Sequence, residues 1–501
     1  MSAAVTIPDA TSVRARDAVE PFVLAIDIGS GSTRCSLYDA FARPIKKRTQ
    51  KADHAFFEGS DGAVEIDPDQ ATREVEQVIS AVTDGLAPGS IRAVAMDTFA
   101  SSLVCVNAEG RAITPCITYA DSRSAPYVRQ LRRELDEGDV HQRTGTRLHA
   151  SYHPARMLWL KETRPEIWAE TAKFLSLGEY IYSRLAGVEG AATSTMAWAG
   201  ILNRHTLDLD ELLLEVTDTR REQFAPIVDP SEPVADVSAK VARRWPALKG
   251  AVWFPAIPDG FASNLGVGAD SPEVAALSAA TSGAVRAIVN NPPDKLPNGL
   301  WSYAVSTTSS IIGGALNDVG RVMLWLERVL AAQDPEDIDH TLRARPNPNT
   351  PLMLPFLTGE RATGWAADAR AVLTGVSSAD GPLDLWRAAA EGVAISYARV
   401  FEQLQEVDPQ LNRMIASGGV SQRYPGLMGI VAQAIGFPVQ VVDVKRVTMR
   451  GAAVLALSVI APGHPTARIP RTDLTTPDPS QRDYYATKRQ AFEATYDAII
   501  E

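Results

Sequence analysis

Apolar residues in this chain come in short runs cut by small or polar residues, the rhythm of strands and turns rather than of long helices. Phe22-Val-Leu-Ala-Ile26 leads into Asp27-Ile-Gly-Ser-Gly-Ser-Thr33 and out through Arg34-Cys-Ser-Leu-Tyr38. Two apolar runs around a turn of glycines and hydroxyls predict a β-hairpin. The layout returns at Ala275-Ala-Leu-Ser-Ala-Ala280, Thr281-Ser-Gly283 and Ala284-Val-Arg-Ala-Ile-Val289. The repeat predicts two halves of related architecture, each opening on such a hairpin, with a cleft between them.

Between the hairpins, Ile91-Arg-Ala-Val-Ala-Met96 reads as a short buried strand ending at Asp97-Thr98. Leu103-Val-Cys-Val106 is expected as its neighbour, turning at Asn107-Ala-Glu-Gly110. Residues 156–185 carry Trp, Leu, Ile and Tyr at helical spacings. Trp253-Phe-Pro-Ala-Ile-Pro258, with two prolines, is the expected domain junction. Later, Met414-Ile-Ala416 reads as a strand, Ser417-Gly-Gly419 as a turn, and Leu427, Ile430, Val431 and Ala434 as a helical stripe. Gly436-Phe-Pro438 stops that helix before the strand Val439-Gln-Val-Val442. Tyr485, Phe492, Tyr496 and Ile499 mark a packed closing helix, and Trp159, Trp168, Trp325 and Trp386 are expected in the core. This order predicts an α/β protein with helices on sheet faces. The expected division is a loose tail over 1–20, a first domain over 21–255 and a second over 256–501.

A chain of 501 residues with 45% hydrophobic and 22% charged positions can build such cores without disulfides. Its formal charge of −11 is the wrong sign for tracking phosphate backbones, so no nucleic-acid partner is expected. Cys35, Cys105 and Cys116 form no CxxC pair, and residues 1–20 lack a signal-peptide core. No run approaches the ~20 apolar residues of a membrane span. A cytoplasmic protein with no membrane partner is the expectation.

The glycine-rich turn invites a nucleotide, yet two familiar motifs fail. A dinucleotide fingerprint beginning at Gly29 and Gly31 needs a glycine where Arg34 stands, and no Gly-Lys pair exists for a Walker A loop. What remains is a hairpin whose Gly29, Ser30, Ser32, Thr33 and Arg34 can grip phosphate oxygens, with Asp27 at the strand end able to hold hydrated Mg²⁺. A plain Gly/Ser turn is the alternative. Thr281, Ser282 and Gly283 offer a second grip or another ordinary turn. Gly418 and Gly419 let a base or phosphate approach the backbone, or make a tight βα connection. Asp259, in Pro258-Asp-Gly-Phe-Ala-Ser-Asn-Leu-Gly266, can accept the proton of an attacking hydroxyl during phosphoryl transfer, or cap its own turn. Asp121 and Arg123, behind Tyr119, suit a polyol or sugar acid, or else form an ion pair. Pro154 interrupts the His149 and His153 spacing, which argues against zinc.

Together these segments resemble the FGGY family of carbohydrate kinases, in consistent order from about residue 22 to 460. Asp27-Ile-Gly-Ser-Gly-Ser-Thr-Arg34 is similar to the family's first phosphate motif, Ala280-Thr-Ser-Gly283 to its second, and Ile415-Ala-Ser-Gly-Gly-Val-Ser421 to its adenosine motif. The resemblance implies a two-domain actin/Hsp70/hexokinase-like (ribonuclease H-like) fold, each domain a mixed sheet flanked by helices. It also implies ATP and Mg²⁺ as cofactors, a sugar or sugar acid as partner, Asp259 as base and Asp27 on the metal side. Tyr119-Ala-Asp-Ser-Arg123, His149, Asp259 to Gly266, Gly313-Gly-Ala-Leu-Asn317 and Leu357-Thr-Gly-Glu-Arg-Ala-Thr-Gly-Trp365 look most like the gluconokinase branch. That branch brings Gly314 and Asn317 to the nucleotide side, His149 to the substrate side, and D-gluconate as the expected acceptor. Tyr119 stands where tryptophan is usual, Ala280 where glycine is, and Arg156 where lysine is. A ketose or polyol kinase and a non-enzymatic ATP-switched interaction protein are the competing readings, and a homodimer stays open.

Overall fold

The computed structural model describes residues 7–500, which form two compact units. The first comprises the chain to Gly268 together with Ser302–Ser310 and Val444–Pro470. Its sheet begins with the predicted hairpin: β1 (Phe22–Ile28) runs antiparallel to β2 (Ser32–Tyr38), which pairs in turn with β3 (Pro44–Asp53). On the other side of β1 lies β4 (Ile91–Thr98), parallel to it and in a register that sets Asp27 opposite Asp97. Continuous apolar runs suit β1 and β4 because both faces of these strands are covered. Helix α1 (Pro68–Thr83), capped by the Asp67 carboxylate on the Asp69 N–H, packs Ala71, Val75, Val78 and Val82 against β2 and β3.

Val252–Trp253 and Ile257–Pro258, the expected junction, pair parallel with β4, and Ala235–Asp236 pairs antiparallel with Val252–Trp253 at the edge of this sheet. Pro255 falls in the break between the two short stretches, where no ladder hydrogen bond is lost. Helix α2 (Asp259–Val267) follows directly and belongs to the first unit, as does α3 (Val447–Ile460), far along the chain. Met449, Ala452, Ala453 and Ala456 of α3 pack on Val23 and Ala25 of β1 and Ala93 and Ala95 of β4. Small residues on both surfaces bring helix and sheet close. Gly266 and Gly451 do the same where α2 crosses α3: a Cβ on Gly451 would run into the Ala262 carbonyl, and one on Gly266 into that of Val447.

Other expectations shift. Val104–Val106 pairs with Lys173–Leu175, not with β4, and that strand also interrupts the helical stretch between Pro165–Glu170 and Leu177–Ala186. Within the segment expected as a tail, Asp9 bridges Arg468, Val13 bridges Ile45, and Ala10 is buried with Phe41 and Ala467. Trp386 and Trp159 are buried, whereas Trp168 and Trp325 are only partly covered.

In the second unit β5 (Val274–Ala279) runs antiparallel to β6 (Gly283–Asn290) and parallel to β7 (Arg413–Ser417), with Val439–Val441 beyond β7. The arrangement of hairpin plus parallel third strand is that of β1, β2 and β4. Gly436, left-handed at φ 72°, ends the helix Pro425–Ile435 where the sequence placed its stop. The closing helix Arg482–Ile499 buries Tyr485, Phe492 and Tyr496, while Ile499 is exposed.

Candidate active site

Three carboxylates meet in the first unit. Asp27 and Asp97 end adjacent parallel strands, and Asp259 opens α2 directly after the stretch that pairs with Thr98. Asp97 is fully buried, and neither of its oxygens has a hydrogen-bond donor in place, although Asp27 and the Thr448 hydroxyl are near enough to shift its ionisation. Burial, then the charge of Asp27, lifts its carboxyl well above the usual range, and the Asp259 charge adds to this. Asp27, nearly buried, is likewise raised by desolvation, against the opposing pull of Asp97, of Arg34 at 3.5 Å and of Thr448. Thr448 lies in the first turn of α3, so the positive end of a 14-residue helix faces these negative groups. The Asp259 carboxylate accepts the Gly260 N–H at 2.7 Å, and no side-chain bond caps the helix from Pro258.

Tyr119 stands beside this cluster, 44% exposed, with Ser30 near enough to its hydroxyl to ease its ionisation. Burial first and the Asp259 charge second raise its phenol, keeping it a donor. Ser30 is exposed at the tip of the first hairpin, where the Gly29 N–H closes the turn on the Ser32 carbonyl at 3.1 Å. Thr33 differs from expectation: it is fully buried and its hydroxyl donates to Glu74 at 2.9 Å, because strand alternation turns it inward. Ser32 is buried as well.

Asp121 and Arg123 also depart from the substrate-holding role. Asp121 accepts the Val64 and Arg123 backbone N–H groups and a forked contact from the Arg123 guanidinium, which reaches Glu65 too and lies 4.4 Å over the Trp159 ring. With both oxygens occupied and only 2% of the residue exposed, Asp121 clamps a loop. The Nδ1 of His149 accepts the Ser151 N–H at 3.1 Å, which leaves the ring proton on Nε2. His153 is buried, and desolvation pushes its imidazole down to about 3. Among the described residues no group of three or more His, Cys, Asp or Glu could hold a metal.

In the second unit Thr281 and Ser282 are exposed at the tip between β5 and β6, and the Thr281 carbonyl takes the Arg321 N–H at 3.0 Å. Gly418, at φ 105°, carries the backbone so close to Ala279 that a side chain would strike its carbonyl, while Gly419 faces open space. These motifs therefore lie side by side at the ends of β5 and β7. Gly314 is buried against Ala362 and Val400, and the Asn317 amide donates to the Thr358 and Gly359 carbonyls, so both support a neighbouring loop.

Sequence reading passed over Asp97 and Thr448. The signal for Asp97 was present: it ends an apolar run just as Asp27 does. Thr448 carries no such mark, since only the return of α3 to the first unit brings it there.

The N-terminal domain of the FGGY family of carbohydrate kinases matches residues 22–266, and the family's C-terminal domain matches residues 275–459. The chain belongs to this family. It is 27% identical over 414 residues to the gluconokinase of Bacillus subtilis (strain 168), covering 80% of each chain, and 22% identical over 420 residues to the xylulose kinase of Escherichia coli (strain K12), covering 82% of this chain and 84% of that one. Its fold matches a gluconate kinase structure from Lactobacillus acidophilus at a TM-score of 0.89, with 23% identity and coverage of 96% and 98%. A ligand-bound xylulose kinase from the same organism matches at 0.88, with 23% identity and coverage of 95% and 98%. As an FGGY carbohydrate kinase the protein is a sugar phosphotransferase. FGGY kinases use ATP, generally with Mg²⁺. The residues present suit that ion: Asp97 keeps two donorless buried oxygens beside Asp27, and Mg²⁺ typically takes one or two carboxylates with water and phosphate. Among the described residues no helix is long and apolar enough to cross a membrane.

Proposed function

We propose that this FGGY kinase transfers the γ-phosphoryl group of ATP to the terminal hydroxyl of a small sugar acid, D-gluconate, giving 6-phosphogluconate. The observation that carries this reading is the meeting of Asp259 with Asp27 and Asp97 at strand ends beside the half-exposed Tyr119. Asp259 takes the proton of the acceptor hydroxyl as its oxygen bonds to the γ-phosphorus and the bond to the leaving ADP oxygen breaks. Tyr119 donates a hydrogen bond on the acceptor side. Asp27 and Asp97 hold Mg²⁺, which when bound neutralises phosphate charge. Ser30, at the tip of the first hairpin, meets a phosphate oxygen.

Gluconate as acceptor rests on the gluconokinase-like segments and on the Bacillus relative. A panel of gluconate, xylulose, erythritol and glycerol with coupled ADP detection tests it. Gluconate should give the highest kcat/KM, and background rates with gluconate would remove that assignment. Asp259→Asn should lower turnover by roughly 10² to 10⁴ while ADP still binds. Unchanged turnover would remove the base. The ketose reading draws on the xylulose kinase relatives, and the same panel decides it.

A further inference from the structure

The first hairpin is anchored from behind by a residue outside every motif. His54 follows β3, and its backbone N–H donates to the Gly31 carbonyl at 3.2 Å. Its imidazole, with no side-chain surface exposed, places Nε2 at 2.9 Å from the Gly29 carbonyl and Nδ1 at 2.8 Å from Glu74 Oε2. Glu74, on α1, also accepts from Thr33 at 2.9 Å and from Gln70 at 2.9 Å. The Phe56 ring stacks on the imidazole, 6.3 Å between centroids and 14° between planes. One residue thus ties down a carbonyl on each side of Ser30.

The consequence is directional. In a trans peptide the carbonyl of one residue and the N–H of the next point opposite ways. Drawing the Gly29 carbonyl to His54 turns the Ser30 N–H away from it, at the exposed tip. A carbonyl only accepts, so the Nε2 contact is an N–H donated to Gly29, while Glu74 on the other side of the ring holds it in that orientation.

We propose that His54, held by Glu74, is a positioning residue for phosphate binding: it fixes the Gly29–Ser30 peptide in the orientation that offers the Ser30 N–H to a phosphate oxygen of the nucleotide. The inference rests on reading this hairpin as a phosphate grip. It is tested with His54→Gln and Glu74→Gln in the full chain. Glutamine at 54 cannot span the Gly29 carbonyl and Glu74 as the two ring nitrogens do, and glutamine at 74 removes the carboxylate that holds the ring. Calorimetry with ADP should show about tenfold or greater weakening in each variant. The KM for ATP should rise while the KM for the best sugar acceptor stays within about twofold. ADP affinity equal to wild type in a folded variant overturns the proposal, as does an equal rise in both KM values, which marks general loosening. Nitrogen-15 spectra of the histidine ring in the wild type should show a proton on Nε2, and a ring without a proton there also overturns it. A wild type that binds no ADP defeats the phosphate-grip reading itself, a result separable from variants that bind ADP as well as the wild type does.

Discussion

The position of Asp259 depends on how closely α2 can approach α3, and Gly451→Ala tests that dependence. Gly451 is helical, so alanine there gains up to about 1 kcal/mol in helix propensity. Against this, the new methyl would overlap the Ala262 carbonyl oxygen and crowd the adjacent carbonyl carbon and Cα. An ordinary contact needs about 3.5 Å, so the helices must part by roughly an ångström or more. Backbone atoms cannot rotate aside as a side-chain tip would, and the crossing is further tied by Arg450, whose guanidinium donates to the Gly266 carbonyl at 2.8 Å and to the Ala467 carbonyl at 3.0 Å. Overpacking of this kind costs about 1–3 kcal/mol, so the steric effect exceeds the propensity gain. Tm should fall by a few degrees, on a scale of about 2–4 °C per kcal/mol for a domain near this size. A displacement of about 1 Å at Asp259 should lower kcat about 10²-fold. Thermal denaturation and coupled ADP release measure the two effects. Gly429→Ala is the control: its added Cβ meets nothing within 4 Å inside the helix Pro425–Ile435, so it should be neutral or slightly stabilising. A Gly451→Ala enzyme with the Tm and kcat of the wild type would refute the argument that this crossing sets the site.

Arg123→Gln leaves the buried Asp121 carboxylate without its partner and should cost about 3–5 kcal/mol by chemical denaturation, with the sugar KM of the folded fraction unchanged; a selective rise in that KM would return Arg123 to the substrate. Asp97→Asn should weaken Mn²⁺ binding to the ADP complex by about tenfold or more in titration calorimetry, and equal binding would remove Asp97 from the metal's ligands. Burial lifts the Glu179 carboxyl from an ordinary 4.5 to about 7. The fold therefore disfavours its charged form: stability is full below pH 4.5 and falls as pH rises through 7, by roughly 3 kcal/mol at most. Glu179→Gln should flatten that decline in unfolding curves taken between pH 5 and pH 8, and an unaltered slope would refute it.

What local chemistry governs could be read directly from the chain. Both glycine and hydroxyl hairpins, the Gly436 stop and the strand Met414–Ala416 followed by a helix all obey short-range rules of turn and period. Asp27 and Asp259 were visible as carboxylates in unusual company, beside a glycine-rich turn and after a proline. Tertiary structure decided what pairs across distance. The parallel register of β1 and β4 sets Asp97 against Asp27, and α3, some 190 positions beyond α2 in the sequence, delivers Thr448 because small residues and two glycines let it nest there. The same long-range packing turned Asp121 and Thr33 from candidate ligand contacts into internal clamps, since a polar group's hydrogen-bond capacity is consumed by whichever partner the fold brings first. Spacing along a chain records residue type and local conformation; it does not record which donor will reach an acceptor fifty residues away.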